Sequence, residues 1–191
     1  VGLYRLRVHG RASHAGLDFE KGASAVLEMA RQIEKIVALT DLSKGTTVNP
    51  GVVRGGTRSN VVAEMAELEI DVRAATATEA QRVHQGLYGL EPAAPEFRLE
   101  MTGGVNRPPM DRERNLAIVG LAQVCARELG FEVGETVVGG GSDGNFTSGM
   151  GVPTLDGMGA VGDGAHSVLE HLIIGEIPKR AALLASVLTR L

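Results

Sequence analysis

The sequence of 191 residues contains no tryptophan, and aromatic residues make up only 3% of it. A core must therefore be built from aliphatic side chains, which a hydrophobic content of 43% allows. Cys125 is the single cysteine, so an internal disulfide is excluded and a reducing, cytoplasmic location is expected. No apolar run reaches the roughly 18 residues of a membrane span, and no signal peptide is visible. We therefore expect no membrane partner.

An excess of positive charge is also missing. The chain has 19 Lys and Arg residues against 23 Asp and Glu residues, a formal net charge of -4. A broad nucleic-acid surface would normally be basic, so we expect no nucleic-acid partner. The sequence starts at Val1 within a strand-like pattern and without a methionine. That start predicts a fragment of a longer protein.

The first hundred residues alternate between strand-like and helix-like patterns. Alternating apolar residues predict strands, and apolar residues three and four apart predict amphipathic helices. The predicted elements are a strand at 1–9, a helix at 22–40, strands at 46–54 and 60–73, a helix from an N-cap at Thr78 to about Leu90, and a strand at 97–101. Pro50 and Gly51 predict that the second strand is an edge strand or carries a bulge. This order predicts a ferredoxin-like βαββαβ fold.

The remaining residues predict a smaller and less complete region. Gly103 and Gly104, followed by residues 106–109, are typical of a hinge between domains. A helix is predicted at 115–129, with Gly130 at its C-terminal end and four residues on its inner side: Leu116, Val119, Ala122 and Val124. A last helix is predicted at 175–191, with Pro178 in its first turn. The region has too little apolar sequence for a core of its own, so we expect it to belong to a larger α/β layer.

The segment between these helices, residues 137–171, is rich in glycine and ends in a group of possible metal ligands: Asp163, His166, Glu170 and His171. If residues 167–172 were helical, His166 and Glu170 would share one face and His171 would point away from it. A catalytic zinc needs about three protein ligands, so this group is not sufficient by itself. The alternative interpretation is a polar loop.

Several other residues have chemistry that suits a site. His14 lies in a loop of small residues, where a histidine can donate a hydrogen bond. Arg73 and Arg107 suit the binding of a carboxylate. Taken alone, however, His14, Arg73 and Arg107 are each more typical of an ordinary surface residue, and Asn60 could be a plain turn residue. Residues 139–144 resemble a phosphate-binding loop, but the glycine spacing is partial and no lysine follows, so a nucleotide-binding protein is the weakest reading.

Five motifs occur in order along the chain, and together they make its resemblance to a known family specific. They are G-R-A-S-H-A-G, R-S-N-V-V-A-E with E-I-D-V-R, G-G-V-N-R-P-P-M, G-G-G-S-D-G-N and G-D-G-A-H-S-V-L-E-H. With these motifs the chain resembles the M20 metallopeptidases, and within them the glutamate carboxypeptidases similar to carboxypeptidase G2. The resemblance implies a ferredoxin-like lid or dimerisation domain at 1–106. It implies that residues 107–191 are an incomplete α/β segment of a zinc-peptidase catalytic domain.

The resemblance also implies roles for individual residues. His14 matches the lid histidine that stabilises the oxyanion in the site of a partner subunit, and His166 matches a zinc ligand. The remaining matched residues line the substrate pocket: Asn60, Arg73, Arg107, Gly141 and Ser142. Arg107 in particular matches the arginine that holds a substrate carboxylate.

The resemblance implies a zinc-dependent amidohydrolase or carboxypeptidase that releases a C-terminal, glutamate-like amino acid from a small peptide or N-acyl amino acid. It also implies a complete enzyme with two zinc ions, most of whose ligands would precede the lid and lie outside this sequence. We therefore expect that this chain alone retains no zinc and is inactive. The alternative is a non-catalytic module for dimerisation and substrate contact, and in both cases a homodimer through the lid is expected.

Overall fold

The computed structural model describes all residues from Val1 to Leu191 and divides into two compact units. The N-terminal unit comprises Val1–Pro109 and the C-terminal unit comprises Met110–Leu191. The division lies three residues beyond the boundary expected at 106. No helix in the structure is both long enough and apolar enough to cross a bilayer.

The N-terminal unit is a four-stranded antiparallel sheet with two helices. Its elements are β1 (Gly2–His9), α1 (Ala25–Val37), β2 (Thr47–Gly55), β3 (Met65–Arg73), α2 (Ala77–Tyr88) and β4 (Arg98–Val105). The strands lie in the order β2-β3-β1-β4, and every neighbouring pair is antiparallel. The predicted mixed α/β class and the predicted order of the six elements agree with this structure.

The strands bury one face and expose the other, as their period of two requires. Tyr4, Leu6 and Val8 of β1 are buried, whereas Leu3 is half-exposed. The core of the unit consists of thirteen buried residues: Tyr4, Leu6, Val8, Ala25, Met29, Ile36, Val48, Ala66, Leu68, Ile70, Val72, Val83 and Leu87. The opposite face carries charged side chains, among which Arg7 and Glu67 pair at 2.8 Å. The pairing register between neighbouring strands is therefore fixed by which residues must face the helices.

The edge strand β2 has the irregularity that its sequence predicts. Its register against β3 shifts between Pro50 and Val52, which is a bulge at Gly51. In contrast to the bulge, two expectations for this unit were wrong. The N-cap of α2 is Thr76, not Thr78, since the Thr76 hydroxyl accepts from Glu79 N at 3.2 Å. Gly103 and Gly104 are not a hinge but lie within β4, where Gly103 has φ 101° and packs against the backbone of Leu3.

The C-terminal unit has two main helices and little sheet. Its elements are α3 (Arg112–Glu128), α4 (Gly144–Gly149), β5 (Gly162–Asp163), β6 (His171–Leu172) and α5 (Ile177–Leu188). The core consists of five buried residues: Ala122, Cys125, Ala126, Leu183 and Val187. Pro178 lies in the first turn of α5, as predicted.

The predicted inner side of α3 is only partly correct. Ala122 is buried, but Leu116 and Val124 are 40% and 39% exposed. The buried side of α3 instead carries Cys125 and Ala126, because these small side chains allow α5 to pack closely against the helix. Residues 167–172 are not helical, so His166 and Glu170 do not share a helix face. They belong to the turn that joins β5 and β6.

Candidate active-site residues

His14 lies in the loop between β1 and α1, where short contacts fix the backbone. Val62 N donates to Ser13 O at 2.9 Å, and Ala15 N donates to Asn60 O at 3.0 Å. His14 and Val61 form an isolated antiparallel bridge. Gly10 precedes this loop, and a Cβ added there would lie 2.1 Å from Ala23 O, so glycine is required. The loop is therefore anchored although its side chains are small.

The ring of His14 is exposed, and one of its nitrogens is occupied. Nδ1 accepts hydrogen bonds from the backbone N–H groups of Gly16 at 3.1 Å and Leu17 at 3.2 Å. No protein group binds Nε2 in the structure. Nε2 is therefore the ring nitrogen of His14 that is available for a hydrogen bond to a substrate or a partner.

Asn60 is the only predicted site residue that the structure brings to His14. Its backbone carbonyl accepts from Ala15, and its side chain is exposed. The two residues come from the loops that follow β1 and precede β3, and these loops lie at the same end of the antiparallel pair. The structure thus joins His14 and Asn60 at one end of the sheet, which we call the histidine end.

An open depression of about 570 Å³ lies beside His14 at the histidine end. Six of its seven lining residues have polar or charged side chains, and the lining comprises Arg11, Ala12, Ser13, His14, Asp18, Glu20 and Lys21. Lys21 and Asp18 form an ion pair at 2.6 Å within it. The charged residues of this lining were not predicted as site residues, and their only signal in the sequence is their closeness to His14.

Arg73 and Arg107 lie at the other end of the sheet, which we call the arginine end. Gly2 of β1 pairs with Val72 on one side and with Val105 on the other, so both arginines follow residues that flank Gly2. Arg107 N donates to Val1 O at 3.0 Å. Arg73 binds Asp71 through two bonds of 2.7 and 2.9 Å, and this hydrogen bonding together with the charge of Asp71 raises the pKa of Arg73.

The two ends are separated by the whole length of β3. Its nine residues, Met65–Arg73, span about 27 Å at roughly 3.4 Å per residue. A single small substrate cannot contact both ends of one sheet. The expected set of lid residues is therefore divided into the pair His14 and Asn60 and the pair Arg73 and Arg107.

Gly141 and Ser142 lie in the C-terminal unit, immediately before α4. Ser142 is half-buried, and its N–H donates to Asn145 Oδ1 at 2.8 Å. Its hydroxyl accepts from Gly144 N at 3.2 Å. Gly141 is exposed. Ser142 thus shapes a tight turn, and its hydroxyl is engaged within that turn.

His166 lies in the exposed turn between β5 and β6. It is the one non-glycine residue with a positive φ, 65°, and its backbone N–H donates to Glu170 Oε2 at 3.3 Å. Asp163 Oδ1 accepts from Gly164 N, and His171 Nδ1 bonds to Leu169 O at 2.9 Å. No three His, Cys, Asp or Glu side chains in the structure are placed to hold one metal ion. The residues of this chain therefore do not fit a metal centre without ligands from elsewhere.

Comparison with known proteins shows what the N-terminal unit is similar to. The family model M20_dimer, described as a peptidase dimerisation domain, matches residues 2–88, slightly less than half of the chain. These residues are therefore similar to the dimerisation domain of M20 peptidases, and the chain has relatives named as carboxypeptidases.

Individual relatives match nearly the whole chain. The uncharacterized protein YqjE of Bacillus subtilis is 29% identical over 188 residues, which is 96% of this chain and 50% of the relative. Carboxypeptidase G2 of Pseudomonas sp. is 27% identical over 190 residues, 97% of this chain and 46% of that enzyme. The crystal structure of a tripeptidase from Staphylococcus aureus has the same fold, with a TM-score of 0.75, 24% identity and coverage of 97% of this chain and 50% of that structure. The chain thus spans about half the length of the relatives it matches.

Proposed function

We propose that this chain is part of an M20-type hydrolase that cleaves an amide bond and releases a C-terminal, glutamate-like amino acid. The similarity of residues 2–88 to the M20 dimerisation domain and the match to carboxypeptidase G2 support this proposal. The observation that carries it is the exposed His14, whose Nδ1 is bonded to the backbone while Nε2 is available. We place the protein in the carboxypeptidase G2-like branch and in the cytoplasm, the latter supported by its single cysteine.

The proposed role of His14 follows from the charge that develops in amide hydrolysis. Attack on the carbonyl carbon places negative charge on the carbonyl oxygen, and a hydrogen-bond donor aimed at that oxygen lowers the barrier. An imidazole N–H at Nε2 is such a donor. Asn60, held beside the same loop, adds a side-chain amide at the histidine end.

The arginine end supplies the proposed recognition of substrate. A guanidinium binds a carboxylate through two parallel hydrogen bonds, which suits the free carboxylate of a C-terminal amino acid. Arg107 is the residue we assign to that carboxylate, with Arg73 as a second contact. About 27 Å separates the two ends of the sheet in the N-terminal unit. The sheet therefore contributes to two different substrate sites, to one through His14 and to the other through Arg107.

We propose residues 1–106 as a ferredoxin-like lid and residues 107–191 as a segment of the catalytic domain. The order of elements and the strand order β2-β3-β1-β4 support the first assignment. Gly141 and Ser142 are proposed to line the substrate pocket. His166 is proposed as a ligand in a centre of two zinc ions, and the other ligands must then come from residues outside this chain.

We propose a second copy of the chain as the partner of the lid. Strand β2 is bonded only to β3, so its outer edge is open to another strand. Beside it, α1 exposes two apolar side chains on one side of the helix, Val26 and Val37, which are both 46% exposed. Val53 of β2 is 59% exposed. An edge strand and an apolar helix side next to each other suit pairing across a two-fold axis.

The alternative function is a non-catalytic module for dimerisation and substrate contact. The chain's lack of a self-sufficient metal site favours this alternative for the 191 residues by themselves. Zinc content and turnover of acyl-glutamate substrates separate the two functions. We expect the 191-residue chain to release no amino acid, whereas the longer protein that contains it should do so.

The central test is His14→Ala in the longer protein. Removal of one oxyanion donor lowers kcat by about 10² to 10³ in well-studied hydrolases, and we expect a loss of that order. Zinc content should remain unchanged, because His14 is not a proposed ligand. His9→Ala is the matched control, since His9 lies in the same unit but pairs with Glu100 on the open face of the sheet. An unchanged kcat, or an equal loss of zinc and activity, would contradict the role of His14.

A further inference from the structure

The loop around His14 turns back onto its own side chain. His14 O accepts from Asp18 N at 3.0 Å and from Leu17 N at 3.3 Å, so residues 14–18 form a single closed turn. Within this turn the N–H groups of Gly16 and Leu17 also point at the imidazole, 3.1 and 3.2 Å from Nδ1. Two main-chain donors thus converge on one ring nitrogen.

The chemistry of imidazole makes this contact decisive for the position of the proton. A neutral histidine has one nitrogen that donates and one that accepts, and the partner of one nitrogen determines the state of the other. A backbone N–H can only donate, so Nδ1 must carry the lone pair and Nε2 the proton. His171 shows the opposite arrangement, because its Nδ1 lies 2.9 Å from Leu169 O, and a carbonyl oxygen can only accept.

We propose that the backbone amides of Gly16 and Leu17 are positioning groups that hold His14 as the Nε2–H tautomer. The inference rests on the proposed function, in which Nε2–H donates to the oxyanion. In that role the Nδ1–H tautomer would present a lone pair to a developing negative charge and would be repelled. In many other catalytic histidines a carboxylate or carbonyl accepts from Nδ1–H and so fixes the tautomer. The turn fixes the tautomer of His14 in the same way, but with the proton on Nε2.

The positioning depends on backbone geometry and not on a neighbouring side chain. The turn is anchored through Ala15 N, which donates to Asn60 O, and through Ser13 O, which accepts from Val62 N. Gly16 itself has space for a methyl group, since an added Cβ would lie 3.7 Å from His14 Cε1, an ordinary contact distance. Its side chain is therefore replaceable, whereas its N–H is not.

The direct test is histidine ¹⁵N NMR on the 191-residue chain at about pH 9, well above the ordinary pKa of histidine. We expect His14 to show only the Nε2–H form, and His171 in the same sample to show Nδ1–H. A free imidazole side chain exchanges between both forms, so a mixture at His14 would overturn the proposal. This measurement needs no substrate, metal or variant.

A pair of substitutions tests the role of the amide. Gly16→Pro removes the N–H, and we expect the Nδ1–H form of His14 to appear; Gly16→Ala keeps the N–H and should leave the wild-type pattern. In the longer protein we expect Gly16→Pro to lower kcat by about tenfold or more, with little change in KM, since a wrong tautomer severely impairs a catalytic histidine. Gly16→Ala should retain activity.

The outcomes separate the inference from the proposed function. If the tautomers are as expected but His14→Ala leaves kcat unchanged, the positioning is correct and the proposed function fails. If His14→Ala lowers kcat but wild-type His14 shows a mixture of both tautomers, the function stands and the positioning fails. If Gly16→Pro does not fold, the wild-type spectrum still decides the tautomer.

Discussion

Thr76 shows how a single hydroxyl determines where a helix begins. Its side chain accepts from Glu79 N at 3.2 Å and satisfies one of the first backbone N–H groups of α2, which have no partner within the helix. Glu79 then turns inward, where its carboxylate accepts from Thr46 Oγ1 at 2.9 Å and from Arg82. The start of α2 is thereby tied to the loop before β2.

We expect Thr76→Ala to destabilise the N-terminal unit by about 1 kcal/mol, the usual loss for an N-cap threonine. Thr78→Ala is the matched control, because Thr78 is exposed and lies inside the helix without a capping bond. Urea denaturation followed by circular dichroism measures both. A larger loss for Thr78→Ala than for Thr76→Ala would show that the cap lies at residue 78.

At this scale the sequence predicts residue types better than contacts. The sequence pattern predicted the cap at Thr78, directly before Glu79, whereas the cap found in the structure is Thr76, three residues before Glu79, which is the spacing of a capping box. His14 was predicted as a site residue because a histidine among small residues is accessible. The amides of Gly16 and Leu17 were not predicted, because every residue has an N–H and only the folded turn shows where it points.

The helix α1 buries a polar pair that its hydrophobic pattern does not predict. The apolar spacing indicated a buried side made of Ala25, Val26, Met29, Ile33, Ile36 and Val37. Ala25, Met29 and Ile36 are indeed buried, but Glu28 and Gln32 are fully buried as well. They face residues 91–93 after α2: Glu28 accepts from Ala93 N at 2.9 Å, and Gln32 donates to Glu91 O at 3.0 Å. Buried backbone groups need partners, so polar side chains occupy this part of the helix.

Glu28 makes the stability of this element depend on pH. Burial alone would raise the pKa of Glu28, but hydrogen bonds from Ala93 N, Gln32 and Arg31 outweigh it and leave the pKa lowered. A carboxyl group with a lowered folded pKa stabilises the fold above its unfolded value, near 4.3, and this contribution is lost as the pH falls through the folded pKa.

We expect Glu28→Gln to destabilise the protein by about 1–3 kcal/mol at pH 7, because one amide N–H would face a donor that the carboxylate now accepts from. The difference from the wild type should shrink as the pH falls below the unfolded value near 4.3 and through the lowered folded pKa of Glu28. Urea unfolding at pH 7 and at pH 3 measures both effects. Glu34→Gln, at an exposed position of α1, should change stability little at either pH. A constant difference between wild type and Glu28→Gln at both pH values would exclude the charge as the cause.

At the scale of the whole molecule, the two edges of the sheet offer a matched pair of sites for testing the dimer. Val53 lies on the edge strand β2 and Val105 on the edge strand β4, 59% and 44% exposed. We expect Val53→Glu to weaken dimerisation at least about tenfold, because it places a charge twice in one symmetric interface, and each 1.4 kcal/mol is tenfold in affinity. Val105→Glu should leave the dimer intact. Light scattering during gel filtration distinguishes these cases, and a monomeric wild type or a stable Val53→Glu dimer would remove β2 from the interface.

The two units differ in how far their sequences determine them. The N-terminal unit has thirteen core residues and four paired strands, and its pattern of periods two and 3.6 predicted the four strands and two main helices in order, although not all of their bounds. The C-terminal unit has five core residues, and residues 131–138 form no secondary structure although Val133, Val137 and Val138 suit a strand. A strand needs a neighbour to bond with, so local sequence alone cannot produce one.

This difference predicts an unequal pattern of hydrogen exchange in the 191-residue chain. Amides of β1 are bonded on both sides and covered by the core, so they should exchange only by global opening of the N-terminal unit. Amides of residues 132–138 should exchange fastest, because their N–H groups have no backbone partner, and those of α3 should lie in between. In the longer protein, residues 132–138 should become protected, because we propose that they belong to a larger α/β layer. Mass spectrometry of deuterated peptides gives both patterns, and full protection of these residues in the short chain would mean that the C-terminal unit is already complete without further sequence.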